Sequence, residues 1–540
     1  MTEGSAGGQG VGRIEPLVRS FRQIVLWPVQ VICEAERHDA EALDALLKRQ
    51  APGKWSLVED EFGNPDIEFQ ERHYREFVSF LPHVQRFLYG DAAGPTGKLK
   101  AADVPMRVYR RNDVARVRIT PRTGALPVVC EVVHTDLYFF NDIDVVILAL
   151  EICAENLPLS VAQDISHRFG RSYPPGWTAG GEAVNCPALV EWMSGDGKVL
   201  ETSDFQDRSG YLSFVGERRA PRMGRHWEFL MKPMVPYASG IKAPMQFRQI
   251  EYYRLPLMSY LTFDSLSELK PADYVRLGLA TAPGDRNQLP YSERFLEDFE
   301  RRHCYDRFYL TQDRPDGVTT RFLSCGHSFT VVAGGSSAYL TDPERGLLGE
   351  FRHQQFLLFM IAHFHKASLL MLSDQLVAAT KLLDSGKASR LRSFRLAAFK
   401  LQQSFLRFTQ RYYFTEVSDQ AHARDLFRMH RQHLATEDLY REVRAEIFDT
   451  VQYLDSNLLR RQSASMNRLT SVTVLGLIGT TVTGFLGMNL IGAADLPLND
   501  KLYWFAVTTG VVSVLTFLTV AFSRPLTRLF DALNGERDPE

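Results

Sequence analysis

The sequence predicts an α/β cytosolic domain followed by long helices and two C-terminal transmembrane helices. Three observations carry that expectation. Two uncharged runs near the C-terminus, Leu469 to Leu490 and Leu502 to Phe522, each hold about 20 residues, enough to span a hydrocarbon core of roughly 30 Å at 1.5 Å per residue. From about Ser418 to Leu486 there is no proline, and no glycine before Gly476, so the pattern reads as one helix of roughly 100 Å, a length suited to a stalk and not to a globular core. Upstream of it, strand-like and helix-like runs alternate.

Composition limits the function classes. The 540 residues carry 62 Lys and Arg against 64 Asp and Glu, a net charge of -2, which argues against a nucleic-acid binder. A mean hydropathy of -0.18 confines the membrane part to a small share of the chain. Cys33, Cys130, Cys153, Cys186, Cys304 and Cys325 form no CxxC pair and read as reduced cytosolic thiols. The N-terminus lacks the basic-then-apolar order of a signal peptide. Arg460, Arg461 and Arg468 precede the first span and Arg524 and Arg528 follow the second, whereas Asp495, Asp500 and Lys501 lie between them. That asymmetry predicts a multi-pass protein of the cell membrane, the inner membrane of a bacterium, with both termini cytoplasmic.

In chain order, residues 1–20 read as a disordered N-terminus and 21–335 as the cytosolic α/β domain. Within it, Gln23 to Ala35 has strand composition, with Pro28 suggesting an edge or a bulge. Gln70 to Leu88 has helical spacing broken near Pro82. Met106 to Thr120, Val128 to His134 and Val145 to Cys153 read as strands. Residues 154–240 give weak signals apart from a helix over Ser160 to Phe169. Met245 to Phe263 is strand-rich, Leu266 to Leu279 and Tyr291 to Arg302 are helical, and Arg307 to Leu310 and Thr319 to Val332 are strand-like. A cytosolic helical pair fills 336–417. Its first helix contains FLLFMIA, but His363, His365, Lys366 and Asp374 interrupt that run, so it reads as a buried soluble helix and not a third span. Ser385-Gly386-Lys387 separates it from its partner, Ala388 to Phe414. The stalk and first transmembrane helix occupy 418–490 with Ser418 as N-cap, an outer loop 491–501, the second transmembrane helix 502–523 and a cytosolic tail 524–540.

The first span is rich in hydroxyls and glycines, where a lipid-facing anchor would be mostly Leu, Ile and Val. Alternating steps of three and four from Ser463 reach Met466, Thr470, Thr473, Leu477, Thr480, Gly484 and Gly487. Such a seam suits close helix packing and equally suits a narrow lumen. Met466-Asn467-Arg468-Leu469-Thr470, Gly484, the tripeptide Gly487-Met488-Asn489, a short acidic loop and a last hydrophobic helix resemble the C-terminal signature of the CorA family of magnesium channels. Leu486 and Ile478 depart from the tyrosine and proline many members carry.

The resemblance implies a CorA-like funnel, a homopentamer in the lipid bilayer with no catalytic residues. It also implies Gly487, Met488 and Asn489 as selectivity filter, Ser463, Thr470, Thr473, Leu477, Thr480 and Gly484 as pore lining, and Met466 and Leu469 as gate. The transported ion would be Mg2+, held at Asn489 through its own waters, with Zn2+ or Co2+ as alternatives in a ZntB-like branch. The same seam extended backwards reaches Asp449 and Glu442 as candidate carboxylate rings, against which stands an ordinary solvated helix face. A tethered cytosolic sensor or enzyme is the reading from another class. His134, Asp136, Asp142 and Asp144, and Cys325 with His327, lack the spacing of a zinc site. His363 and His365 flank Phe364, point in different directions on a helix, and make poor joint ligands.

Overall fold

The computed structural model describes residues 15–33, 40–58, 67–90, 105–141, 143–251, 253–305, 319–382, 388–487 and 497–521. It divides into one compact unit ending at Arg444 and a second beginning at Ala445, each described by itself. The first is built on strands β1 (Leu17–Cys33), β2 (Trp55–Leu57), β3 (Met106–Arg111), β4 (Arg116–Thr120), β5 (Val128–Phe140), β6 (Val145–Pro158), β7 (Leu189–Met193), β8 (Val199–Thr202), β9 (Val235–Pro236), β10 (Met245–Gln249), β11 (Leu257–Phe263), β12 (Thr319–Ser324) and β13 (Ser328–Gly334). They form one sheet whose main path runs β12-β13-β11-β1-β6-β5-β4-β7-β8. Along that path only β11 and β13 are parallel. Every residue of β11 and of β13 is buried, the hydroxyl residues Ser259, Thr262, Ser328 and Thr330 included.

Two sequence expectations need correcting here. The first strand starts at Leu17, so residues 17–20 are not a disordered tail; Leu17, Val18 and Ser20 pair with Pro158, Leu157 and Glu155 of β6. Nor is that strand at an edge. β6 runs along one side of β1, while on the other β11 takes Ser20 to Val25 and β10 takes Val29 to Cys33. Pro28 falls in the gap between those two neighbours, where a missing N–H removes no ladder bond.

The helices are α1 (Ala40–Gln50), α2 (Ile67–Ser79), α3 (Pro82–Tyr89), α4 (Leu159–Arg168), α5 (Arg208–Arg218), α6 (Arg225–Met231), α7 (Pro271–Leu279), α8 (Glu293–His303), α9 (Leu347–Glu350), α10 (Phe356–Thr380), α11 (Ala388–Arg411), α12 (Ala421–His433), α13 (Thr436–Gly487) and α14 (Leu498–Ala521). Pro82 opens α3 at a position that needs no N–H, the break its sequence predicts. The weakly patterned segment 154–240 is held by aromatic packing: Trp227 meets Phe169 at 5.6 Å and Trp192 at 6.2 Å between ring centroids. Arg307 to Leu310 and the Ser385-Gly386-Lys387 break lie outside the described residues.

A π-helical turn, Phe351–Gln355, joins α9 to α10. Among the described residues the combined helix Leu347–Thr380 alone is long and apolar enough to cross a membrane by length and composition, and its most apolar window is 83% buried inside the protein. One nitrogen of each of its two fully buried histidines meets a carbonyl, and its exposed aspartate meets an arginine. His363 Nε2 lies 3.2 Å from Gly326 O, His365 Nε2 2.6 Å from Tyr412 O, and Asp374 pairs with Arg248.

The expected helix over 418–486 is two helices. Ser418 is buried and not an N-cap; its hydroxyl donates to Ser79 O and accepts from the Gln420 N–H. α12 then closes at Leu434, Ala435 takes a left-handed conformation (φ 50°), and α13 starts at Thr436. The break follows from packing that residue patterns do not report, because Leu426, Phe427 and His430 are buried and α12 lies against α10 and β12. The remaining 52-residue helix is about 78 Å long at 1.5 Å per residue.

Candidate functional site: the C-terminal helix pair

In the second unit α13 and α14 pack through one face of each. Leu475, Ile478 and Gly479 of α13 and Val507, Thr508, Val511, Val512 and Leu515 of α14 line an open apolar groove of about 310 Å³, in which Ile478, Val511 and Leu515 stay more than half exposed. Gly479 is buried at the closest approach, where a Cβ would lie 2.6 Å from Val512 Cγ1. A glycine is needed there because a β-branched valine has little freedom to yield.

The seam lies elsewhere on the helix. Ser463, Met466, Thr470, Thr473, Leu477, Thr480, Gly484 and Gly487 are all exposed, as is Leu469, with Met466, Leu469 and Leu477 at 68%, 69% and 69%. A Cβ added at Gly484 or Gly487 would meet nothing within 4 Å. The two glycine classes are thereby separated: Gly479 serves the α13–α14 contact, and Gly484 and Gly487 meet nothing among the described residues.

The hydroxyls on the seam have a defined polarity. Thr470, Thr473 and Thr480 donate to the carbonyls four residues back, Met466 O at 2.9 Å, Leu469 O at 2.8 Å and Gly476 O at 2.8 Å. With the proton committed to the helix backbone, each side chain offers its surroundings an acceptor oxygen. Such a stripe suits a cation or the hydrogens of its bound water.

Gly487 is the last residue of α13, while Met488 and Asn489 lie outside the described residues. Glu442 and Asp449 are exposed on α13, Glu442 in the first unit and Asp449 in the second. Asp136 holds Arg110 through two 2.8 Å bonds, His134 Nε2 accepts from Arg352 at 3.2 Å, and His327 Nε2 lies 3.4 Å from Leu279 O. Asp142 lies outside the described residues. Among those described, no group of three or more His, Cys, Asp and Glu is placed to hold a metal ion. Cys130, Cys153, Cys186 and Cys325 are free thiols. The packing role of Gly479 escaped the sequence reading, though its position off the seam was a usable signal.

Comparison with known proteins falls on this region. The profile of the CorA-like Mg2+ transporter protein family matches residues 375–523, from within α10 to the end of α14. Residues 375–523 are CorA-like. The match is to transporters and not to enzymes, and it leaves the sheet of the first unit outside the CorA-like part. No curated protein matches. A solved structure titled "structure of the full-length CmaX protein" aligns with 14% identity over 56% of this chain and 93% of its own, at a TM-score of 0.17 too low to carry any argument.

Proposed function

We propose that the chain is a divalent-cation channel or transporter, magnesium first, whose pore is lined by the exposed seam of α13 in a homopentamer. The CorA-like family is membrane-localised and carries divalent cations, and the reading places α13 and α14 as the two spans with both termini cytoplasmic. The observation that carries it is the division of α13 into a face that meets α14 at Gly479 and a seam of acceptor hydroxyls and glycines that packs against no other element among the described residues. A tether needs no such division. Mg2+ gives up its waters reluctantly and usually keeps several, so a lumen of threonine oxygens and a ring of Asn489 amides suits a hydrated ion. Gly487 and Met488 complete the filter. Met466 and Leu469 form an apolar constriction that stops ions by dewetting, and Asp449 and Glu442 gather cations on the cytoplasmic side.

The test is flux of Mg2+, Zn2+ and Co2+ through the purified protein in liposomes, with wild type against Asn489→Gly. Glycine preserves a helix C-terminal cap and removes the side-chain oxygen. Loss of flux by tenfold or more with intact oligomers is expected. Near-normal flux refutes the filter role, and the wild-type ion series sets the selectivity.

A further inference from the structure

Five histidines from four places in the first unit surround the turn between β12 and β13. His303 ends α8, His327 sits on the turn, His363 lies on α10, and His430 and His433 lie in the last turn of α12. Gly326, at φ 66°, lets the turn approach closely; a Cβ there would be 3.0 Å from His433 O. His303 and His433 stack with centroids 4.5 Å apart and planes 16° from parallel. One nitrogen of each ring is committed to a carbonyl, His303 Nδ1 to Ser324 O at 2.9 Å and His433 Nε2 to Arg302 O at 2.9 Å. Behind them His430 Nδ1 meets Ser324 Oγ at 2.9 Å, fully buried.

The surroundings favour neutral rings. On α8 stand Arg301 and Arg302, on the turn Cys325 and His327, on α10 His363, and on α12 His430 and Arg431. The neighbouring carboxylates are already engaged: Glu300 with Arg321 at 2.7 Å, Glu251 with His363 and Lys366 at 3.6 and 3.9 Å, Glu437 with Arg431 at 3.1 Å, and Asp298 with Arg301 and Arg302. Burial lowers the affinity of both stacked rings for a proton, and Arg302 lowers it further at His303, as His303 does at His433. Both rings are only half-buried, so in acid the second proton reaches them before the enclosed His430.

Only Leu434 and Ala435 separate His433 from the first residue of α13. We infer that the His303–His433 stack is a proton-operated latch, which when neutral holds the elbow between α12 and α13 against the β12–β13 turn and releases it when both rings are charged. Two imidazolium rings stacked face to face repel, and the ring that can move is the one on the elbow.

The measurement is amide hydrogen exchange on the full-length protein at pH 7.5 and 5.5, corrected for the intrinsic pH dependence of exchange. It does not require ion flux, so failure of the latch is distinguishable from failure of the channel reading. Wild type should exchange at least tenfold faster over the last turn of α12 and the β12–β13 turn at pH 5.5. His433→Phe, which keeps a stacking ring and cannot titrate, should show no acceleration. His433→Gln, whose amide can still donate to Arg302 O, serves if the phenylalanine variant does not fold, with the same expectation. Acceleration that persists in the folded variant, or wild-type exchange that does not respond to acid, overturns the latch.

Discussion

α10 and α14 are both long, apolar and helical, and the structure treats them oppositely. In α10, Phe359, Phe364, Leu369 and Leu372 are at 0% exposure, with the sheet and α11 and α12 packed around them. In α14, Leu502, Tyr503, Trp504, Phe505, Val511, Val514 and Leu515 are all more than half exposed. An exposed apolar surface of that extent marks a membrane or an interface. Length and hydropathy therefore do not separate a covered helix from an uncovered one; what packs on the helix does. The polar residues carry the same distinction, since α10 places His363, His365 and Asp374 where carbonyls or an arginine answer them, whereas the charges of α14 stop at Asp500 and Lys501 in its first turn.

The largest effect that sharpens this contrast is deletion of a buried ring. Phe364 lies 4.0 Å from Phe140 and 5.8 Å from both Phe87 and Tyr412 between centroids. Phe364→Ala should cost about 3–5 kcal/mol and lower the melting temperature of the purified protein by several degrees. The same change at exposed Phe505 should leave folding within about 0.5 kcal/mol in detergent. Equal melting shifts for the two would erase the distinction between covered and uncovered helices.

The next effect is acid sensitivity of the covered region. Burial brings the pKa of His365 down from 6.5 to about 3. The unfolded chain takes up that proton near pH 6.5 and the folded one does not, so the stability contributed is present above about pH 6.5 and is lost as pH falls toward 3. At pH 5 the loss is about 2 kcal/mol for this ring, at 1.36 kcal/mol per unit. His365→Phe should flatten that part of the pH profile of urea unfolding, while an unchanged slope between pH 6.5 and 5 would show that the ring is reached by solvent.

How much of this could be read beforehand depends on how local the signal is. The C-terminal helices were legible because uncharged runs and the Gly487-Met488-Asn489 ending are local features, and the sense of α10 was legible because His363, His365, Lys366 and Asp374 sit inside an apolar run. The break at Ala435 was not, since a left-handed alanine has no residue signature and arises from the seating of α12 on the sheet. Pro28 misled for the same reason: its tolerance in β1 comes from two neighbours, β10 and β11, that meet beside it. The thirteen-stranded order and the packing of 154–240 rest on pairings between residues far apart in sequence, which periodicity does not encode.

The smallest effect concerns two glycines on one helix, five residues apart, of which Gly484 lies on the seam and Gly479 off it. At Gly479 an added methyl would overlap Val512, a side chain fixed in the α13–α14 contact, so Gly479→Ala should weaken the helix pair by about 1–3 kcal/mol. At Gly484 the methyl would meet nothing within 4 Å, and alanine also favours the helix, so Gly484→Ala should be neutral or stabilising by up to about 1 kcal/mol for the single chain. Any penalty at Gly484 must then come from outside the described residues, and on the channel reading it comes from crowding of the lumen or of a neighbouring copy. Thermal unfolding of the detergent-solubilised protein reads the first effect, and cation flux with oligomer size reads the second. Loss of flux in Gly484→Ala at unchanged thermal stability would place Gly484 on the pore. Unchanged flux in that variant, with Gly479→Ala as stable as wild type, would remove the two-faced description of α13 and the channel reading built on it.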